Sequence, residues 1–88
     1  MSVRAEDIER VLRATFEPET LEVHDDSHKH VGHAGAREGR HFSVVIVSER
    51  FAGASRVARH RLVYDALRDL IPQGVHALAI DARTPGQA

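Results

Sequence analysis

The sequence predicts a small α+β domain of order α-β-β-α-β, with three strands carrying two or three helices on one face. Apolar residues recur at helical spacing near the N-terminus and again in the third quarter of the chain. Short segments that alternate, or are apolar throughout, lie between and after them, as strands do. The 88 residues contain no internal repeat, and a chain of this length makes one domain, spanning residues 1–88.

The first helix is expected over residues 4–16, where Ile8, Val11, Leu12 and Phe16 form one stripe. Glu6 and Asp7 complement the dipole of its first turn, and Glu6–Arg10 and Glu9–Arg13 have the favourable i,i+4 order. Pro18 ends it. Residues 20–26 alternate, with Leu21 and Val23 opposite Glu22 and His24, so they read as a half-buried strand. Ser27 to Arg40 holds Gly32, Gly35 and Gly39 and no large apolar side chain, which is the composition of a loop. His41 to Ser48 is the next strand, and its apolar run Val44–Val47 suits a central position. A turn around Gly53 follows, and the 50–58 region can add a short extra helix. Ser55 caps a second helix over 56–71, with Leu62, Ala66, Leu67, Leu70 and Ile71 inward and Arg61, Asp65 and Arg68 outward. Pro72 and Gly74 end it. Val75 to Ala82 is the last strand, and residues 83–88 have the composition of a frayed tail. Phe16, Phe42, Phe51 and Tyr64 are the large rings available to the core.

Composition narrows the function. With 42% hydrophobic and 28% charged residues, the chain can bury a core and is not a disordered segment. The net charge of −1 supplies no global field for nucleic acid or anionic membrane. The charge is nevertheless uneven. Residues 1–26 carry three bases against eight acids, net −5, and residues 27–88 carry nine bases against five acids, net +4. There is no cysteine, which excludes disulfides, zinc ribbons, thiol catalysis and a self-contained iron–sulfur cage. No apolar run approaches the ~18 residues of a membrane span, and no signal-peptide core is present. A cytoplasmic protein that does not act at membranes is expected. No nucleophile–base–acid set, P-loop or paired carboxylates suggest an enzyme.

Histidine is the residue that stands out, with seven in the chain. His24, His28, His30, His33 and His41 fall within eighteen residues, and imidazole is the commonest metal ligand. The loop is either a polar exposed connection or a metal-binding segment. Its fourteen residues exceed what joining two strands requires, which favours a functional role. His76 lies in the last strand. Simple alternation puts it on the face of Leu78 and Ile80, so it reads as a satisfied core residue or as a ligand near the strand's start. Arg56, Arg59, His60, Arg61 and Arg68 make the second helix basic. That is either a helix-turn-helix reader of DNA or a solvated face, with no aromatic interleaved for base stacking. Gly32-His33-Ala34-Gly35 fits the G-x-x-G phosphate clamp, but here it lies between strands rather than helices.

The chain resembles the BolA family. The segments that carry the resemblance run in order: Leu21-Glu22-Val23-His24-Asp25-Asp26-Ser27, His41-Phe42-Ser43-Val44-Val45-Ile46-Val47-Ser48, Arg50-Phe51-Ala52-Gly53, Arg59-His60-Arg61-Leu62-Val63-Tyr64 and Val75-His76-Ala77-Leu78-Ala79-Ile80. The resemblance implies a class II KH-like αββαβ fold and one of two functions. In the first, the protein pairs with a monothiol, CGFS-type glutaredoxin and shares a [2Fe–2S] cluster. The glutaredoxin cysteine and glutathione hold one iron, and this chain supplies histidine to the other: His76, together with a loop histidine, His33 or His30, with His28 behind them. The second is transcriptional regulation through the helix-turn-helix-like region, roughly Phe51 to Tyr64. Mixed imidazole and thiolate ligation has a Rieske-like precedent, and a chain without thiols needs a partner to bring them. The cluster-sharing role in iron–sulfur assembly or iron regulation is therefore the primary expectation, with weak DNA binding as the alternative.

Overall fold

In the computed structural model, which describes residues 3–26 and 40–87, helix α1 covers Ala5–Phe16. Its start is fixed by Asp7, whose carboxylate accepts the Arg4 backbone N–H at 2.9 Å. Its end is the left-handed residue Glu17 (φ 45°), whose N–H returns to the Arg13 carbonyl; Pro18 then prevents continuation. Ile8, Leu12 and Phe16 are its buried stripe, three of the four residues expected there.

Strands β1 (Thr20–Asp25), β2 (Arg40–Val47) and β3 (Val75–Arg83) form one sheet in the order β1-β2-β3. β1 pairs antiparallel with β2, and β2 pairs parallel with β3. A parallel pair needs a crossover, and helix α2 (Arg56–Ala66) provides it. Phe42, Val44 and Ile46 of β2 are buried and meet α1, α2 and the short 3-10 turn Glu49–Phe51. The Phe16 and Phe51 rings lie 5.0 Å apart. Ser48 is the buried polar side chain among the described residues. Its hydroxyl donates to the Phe16 carbonyl at 2.7 Å and accepts the Arg50 N–H at 3.1 Å, so it joins the end of α1 to the end of β2.

The α+β class and the αββαβ order hold, with local differences. In α2 the buried residue is Val63, whereas Leu62 is 41% exposed. The inward stripe runs Val63, Ala66, Leu67, Leu70, and Leu62 sits about 100° away from Val63 on a 3.6-residue helix. Tyr64, expected in the core, is also 41% exposed, and its hydroxyl donates to the Leu78 carbonyl. α2 ends at Ala66, and Ile71–Gln73 is a separate 3-10 turn. The extra helix of the 50–58 region is the Glu49–Phe51 turn. Residues 83–87, expected to fray, extend β3 to Arg83 and close in a 3-10 turn, Pro85–Gln87.

His76 is the largest departure. It is exposed, not on the face of Leu78 and Ile80. Arg40 pairs with Val75 and His41 with Ala77, an irregularity that leaves His76 as an extra residue on β3. An inserted residue breaks the period-two alternation and re-aims its side chain.

Candidate metal-ligand site and basic helix

The bulge delivers His76 to the end of the sheet where β2 begins, and there its ring meets that of His41. The two centroids are 5.1 Å apart and the planes are tilted by 50°. His41 is half-buried and His76 exposed. Strand periodicity places His41, Ser43 and Val45 opposite the buried Phe42 and Val44, on the face without helices. Beside the pair lies a shallow depression of about 340 Å³ lined by Asp26, His41, Ser43, Ala77 and Ala79. The Ser43 hydroxyl donates to the Asp26 carboxylate.

The ends of the 27–39 segment are anchored at this same place. The Asp26 N–H donates to the His41 carbonyl at 2.7 Å, and the Arg40 N–H to the Gly74 carbonyl at 2.8 Å. Arg40 also pairs with Asp25 at 2.8 Å. The segment therefore leaves and returns within two residues of His41 and His76. His28, His30 and His33 themselves lie outside the described residues. Among the described residues no group of three or more His, Asp or Glu side chains surrounds a common point. The structure thus brings His76 to a neighbour not anticipated as a ligand, His41. Sequence placed His41 in the histidine-rich stretch, but its partnership depends on a parallel register that local pattern does not encode.

At the other end of β3, a groove of about 550 Å³ separates the start of α2 from the strand; Arg56, Arg59, His60, Asp81, Arg83 and Gln87 line it. Ser55 caps α2 by accepting the Ala58 N–H. Arg59 is a clamp. Its guanidinium donates to the Ala54 carbonyl at 2.9 Å, the Ala82 carbonyl at 3.1 Å and the Gln87 side chain at 2.7 Å. Arg83 forks onto Asp81 at 2.9 and 2.7 Å. That hydrogen-bonded cation holds the Asp81 carboxyl below its usual range, and the carboxylate in turn raises Arg83. Arg56, Arg61 and Arg68 make no ion pair among the described residues. Val57 is 64% exposed, so the outer face of α2, with Leu62 and Tyr64, mixes guanidinium groups with apolar surface. Of the five basic positions expected to face nucleic acid, Arg59 is engaged internally and His60 is half-buried in the groove.

A BolA-like protein family model matches residues 12–87. The chain belongs to the BolA family. An uncharacterized Sinorhizobium protein is 47% identical over 85 residues, covering 93% of this chain and 91% of that one. The Escherichia coli DNA-binding transcriptional regulator BolA is 46% identical over 79 residues, covering 90% and 73%. The solved BolA domain of SufE1 from Arabidopsis thaliana superposes with a TM-score of 0.86 at 44% identity, over 100% of this chain and 99% of that domain. This chain spans 23% of the full-length plant SufE-like protein 1. These matches confirm the KH-like BolA architecture. No helix among the described residues is long and apolar enough to cross a membrane.

Proposed function

We propose that this BolA-family protein is a non-catalytic partner of a monothiol glutaredoxin and supplies His76 to a shared [2Fe–2S] cluster, with a loop histidine, His33 or His30, as the second ligand. The observation that carries this reading is the outward swing of His76 at the β3 bulge. An imidazole that alternation would bury is presented at an open sheet end, between the anchored ends of the histidine-rich segment.

The donor set fits such a group in part, and the part is informative. His76 and His41 are imidazoles brought together at the sheet end where β2 begins, and the chain has no cysteine. It can contribute nitrogen ligands to one iron and must obtain thiolates from a partner and glutathione. When bound, the cluster supplies one-electron redox capacity and transferable iron and sulfide. This chain's part is to hold an imidazole in place and shape the docking edge. Adding the apo protein to a cluster-bearing glutaredoxin should change the visible absorption and circular dichroism of the cluster, and His76→Ala should remove most of the change. An unchanged spectrum at saturation would overturn the reading in favour of a scaffold without ligand exchange.

DNA binding is the second reading. It is favoured by the DNA-binding relative from Escherichia coli and by the exposed Arg56 and Arg61 of α2 and Arg68 in the turn that follows it. On a chain with net charge −1, a few phosphate contacts would give weak and strongly salt-dependent retention.

A further inference from the structure

We propose that His41 and His76 together form a site for one borderline divalent cation of the zinc class, taken up by this chain without any partner protein. The geometry is the warrant. A zinc-like ion lies ~2.1 Å from each imidazole nitrogen it binds. Adding the distance from nitrogen to ring centre, two imidazoles on one tetrahedral ion have centroids ~5 Å apart. His41 and His76 are 5.1 Å apart at the centroids already.

The backbone fixes this spacing. The two residues sit on hydrogen-bonded parallel strands, and the extra residue in β3 brings His76 level with the start of β2. Without the bulge, His41 and His76 would occupy opposite faces, and no ion could bridge them. Their partial exposure leaves room for water to complete the coordination, as it must, since no third protein donor gathers there among the described residues. Two nitrogens with no thiolate suit zinc, nickel or copper(II) rather than soft copper(I) or the hard magnesium and calcium ions. The inference goes beyond the shared-cluster reading, because it makes His41 a ligand and requires no glutaredoxin. Where both readings hold, the cation and the cluster compete for His76.

The test uses tag-free protein alone. Zinc chloride is titrated calorimetrically into the wild type, His41→Gln, His76→Gln and the triple variant His28→Gln/His30→Gln/His33→Gln. Amide spectra check that each variant is folded. The expected result is one equivalent bound by the wild type, with affinity reduced about tenfold or more in each single variant, on the scale by which metal sites respond to lost support. The triple variant should stay close to wild type, and the ring resonances of both His41 and His76 should shift together. Wild-type affinity in either folded single variant, or no saturable binding in the wild type, would overturn the proposal. So would binding lost in the triple variant and kept in His41→Gln. Because no glutaredoxin is present, none of these outcomes depends on the shared-cluster reading.

Discussion

Replacing Arg59 with alanine separates two roles for the basic helix. A nucleic-acid contact would lose affinity and leave stability alone. The structure gives Arg59 the other role, since its guanidinium bonds the carbonyls of Ala54 and Ala82 and the side chain of Gln87. These tie the start of α2 to the end of β3 and to the 3-10 turn of the tail. A hydrogen bond from a charged donor contributes about 1.5–3 kcal/mol when buried. Arg59 is half-exposed, so water recovers part of what the carbonyls lose, and a net cost of about 2 kcal/mol is expected for the three together. For a domain of this size that lowers Tm by roughly 8–16 °C. Lysine at position 59 should recover only part of it, because one ammonium cannot reproduce the guanidinium fork.

Thermal melts and DNA retention measured on the same samples decide between the roles. Arg61 is exposed and has no ion-pair partner among the described residues. Arg61→Ala should therefore stay within about 0.5 kcal/mol of wild type, and any DNA affinity should fall with a reduced salt slope. An Arg59→Ala variant with an unchanged melt and a selectively weakened DNA interaction would refute the clamp.

Ser48→Ala removes a buried hydroxyl that donates to the Phe16 carbonyl and accepts the Arg50 N–H; a loss of about 1–3 kcal/mol is expected in urea unfolding, with the m-value unchanged. Asp81 offers a pH test. Arg83 holds its carboxyl below the ordinary 3.8, so the contribution is complete above that value and disappears as pH falls through the lowered one. Asp81→Asn should flatten that part of the acid limb, seen as urea midpoints that converge with wild type as pH falls below the ordinary carboxylate value. Arg83 itself stays charged throughout this window, so the carboxylate alone sets the sign.

Local pattern was enough for the elements whose partners are near in sequence. α1 follows from Ile8, Leu12, Phe16 and a stop at Pro18, and the strands β1 and β2 from alternation and a central apolar run. α2 is harder because its apolar content is not confined to one face. Val57, Leu62 and Tyr64 are exposed while Val63 is buried, so a stripe drawn through Leu62 and Ala66 is as regular as the true one. Tertiary packing selects between them: Phe42, Val44 and Ile46 present a surface that Val63 and Leu67 fill. The order of the tail was unreadable for a similar reason. Pro85-Gly86-Gln87 looks like a loose end until Arg59, 28 positions earlier, donates to Gln87.

The site shows the same division more sharply. Its residue types were visible as an excess of histidine, and His76 was singled out by its strand. Its orientation was not, because one inserted residue reverses which face a strand side chain meets, and an insertion of that kind leaves no mark in the order of Val75, His76, Ala77 and Leu78. The partnership with His41 needs a further fact, the parallel register that sets Arg40 beside Val75 and His41 beside Ala77.

The two candidate surfaces occupy opposite ends of β3, and this bears on whether one molecule can serve both. His76 lies near the strand's start, and Asp81 and Arg83 near its end. The seven residue steps of strand from His76 to Arg83 correspond to ~23 Å. α2 runs back alongside, with Tyr64 over Leu78 and Arg59 over Ala82, so Arg56 belongs to the groove end and Arg68 follows the helix toward the histidine end. A partner covering His76 therefore does not have to displace a ligand held in the Arg56 groove. Competition between the two would require a partner broad enough to cover the outer face of α2, whose exposed Val57, Leu62 and Tyr64 offer apolar contact between the two ends. Whether the functions exclude each other is therefore set by the footprint on α2, since the two sites share no side chain.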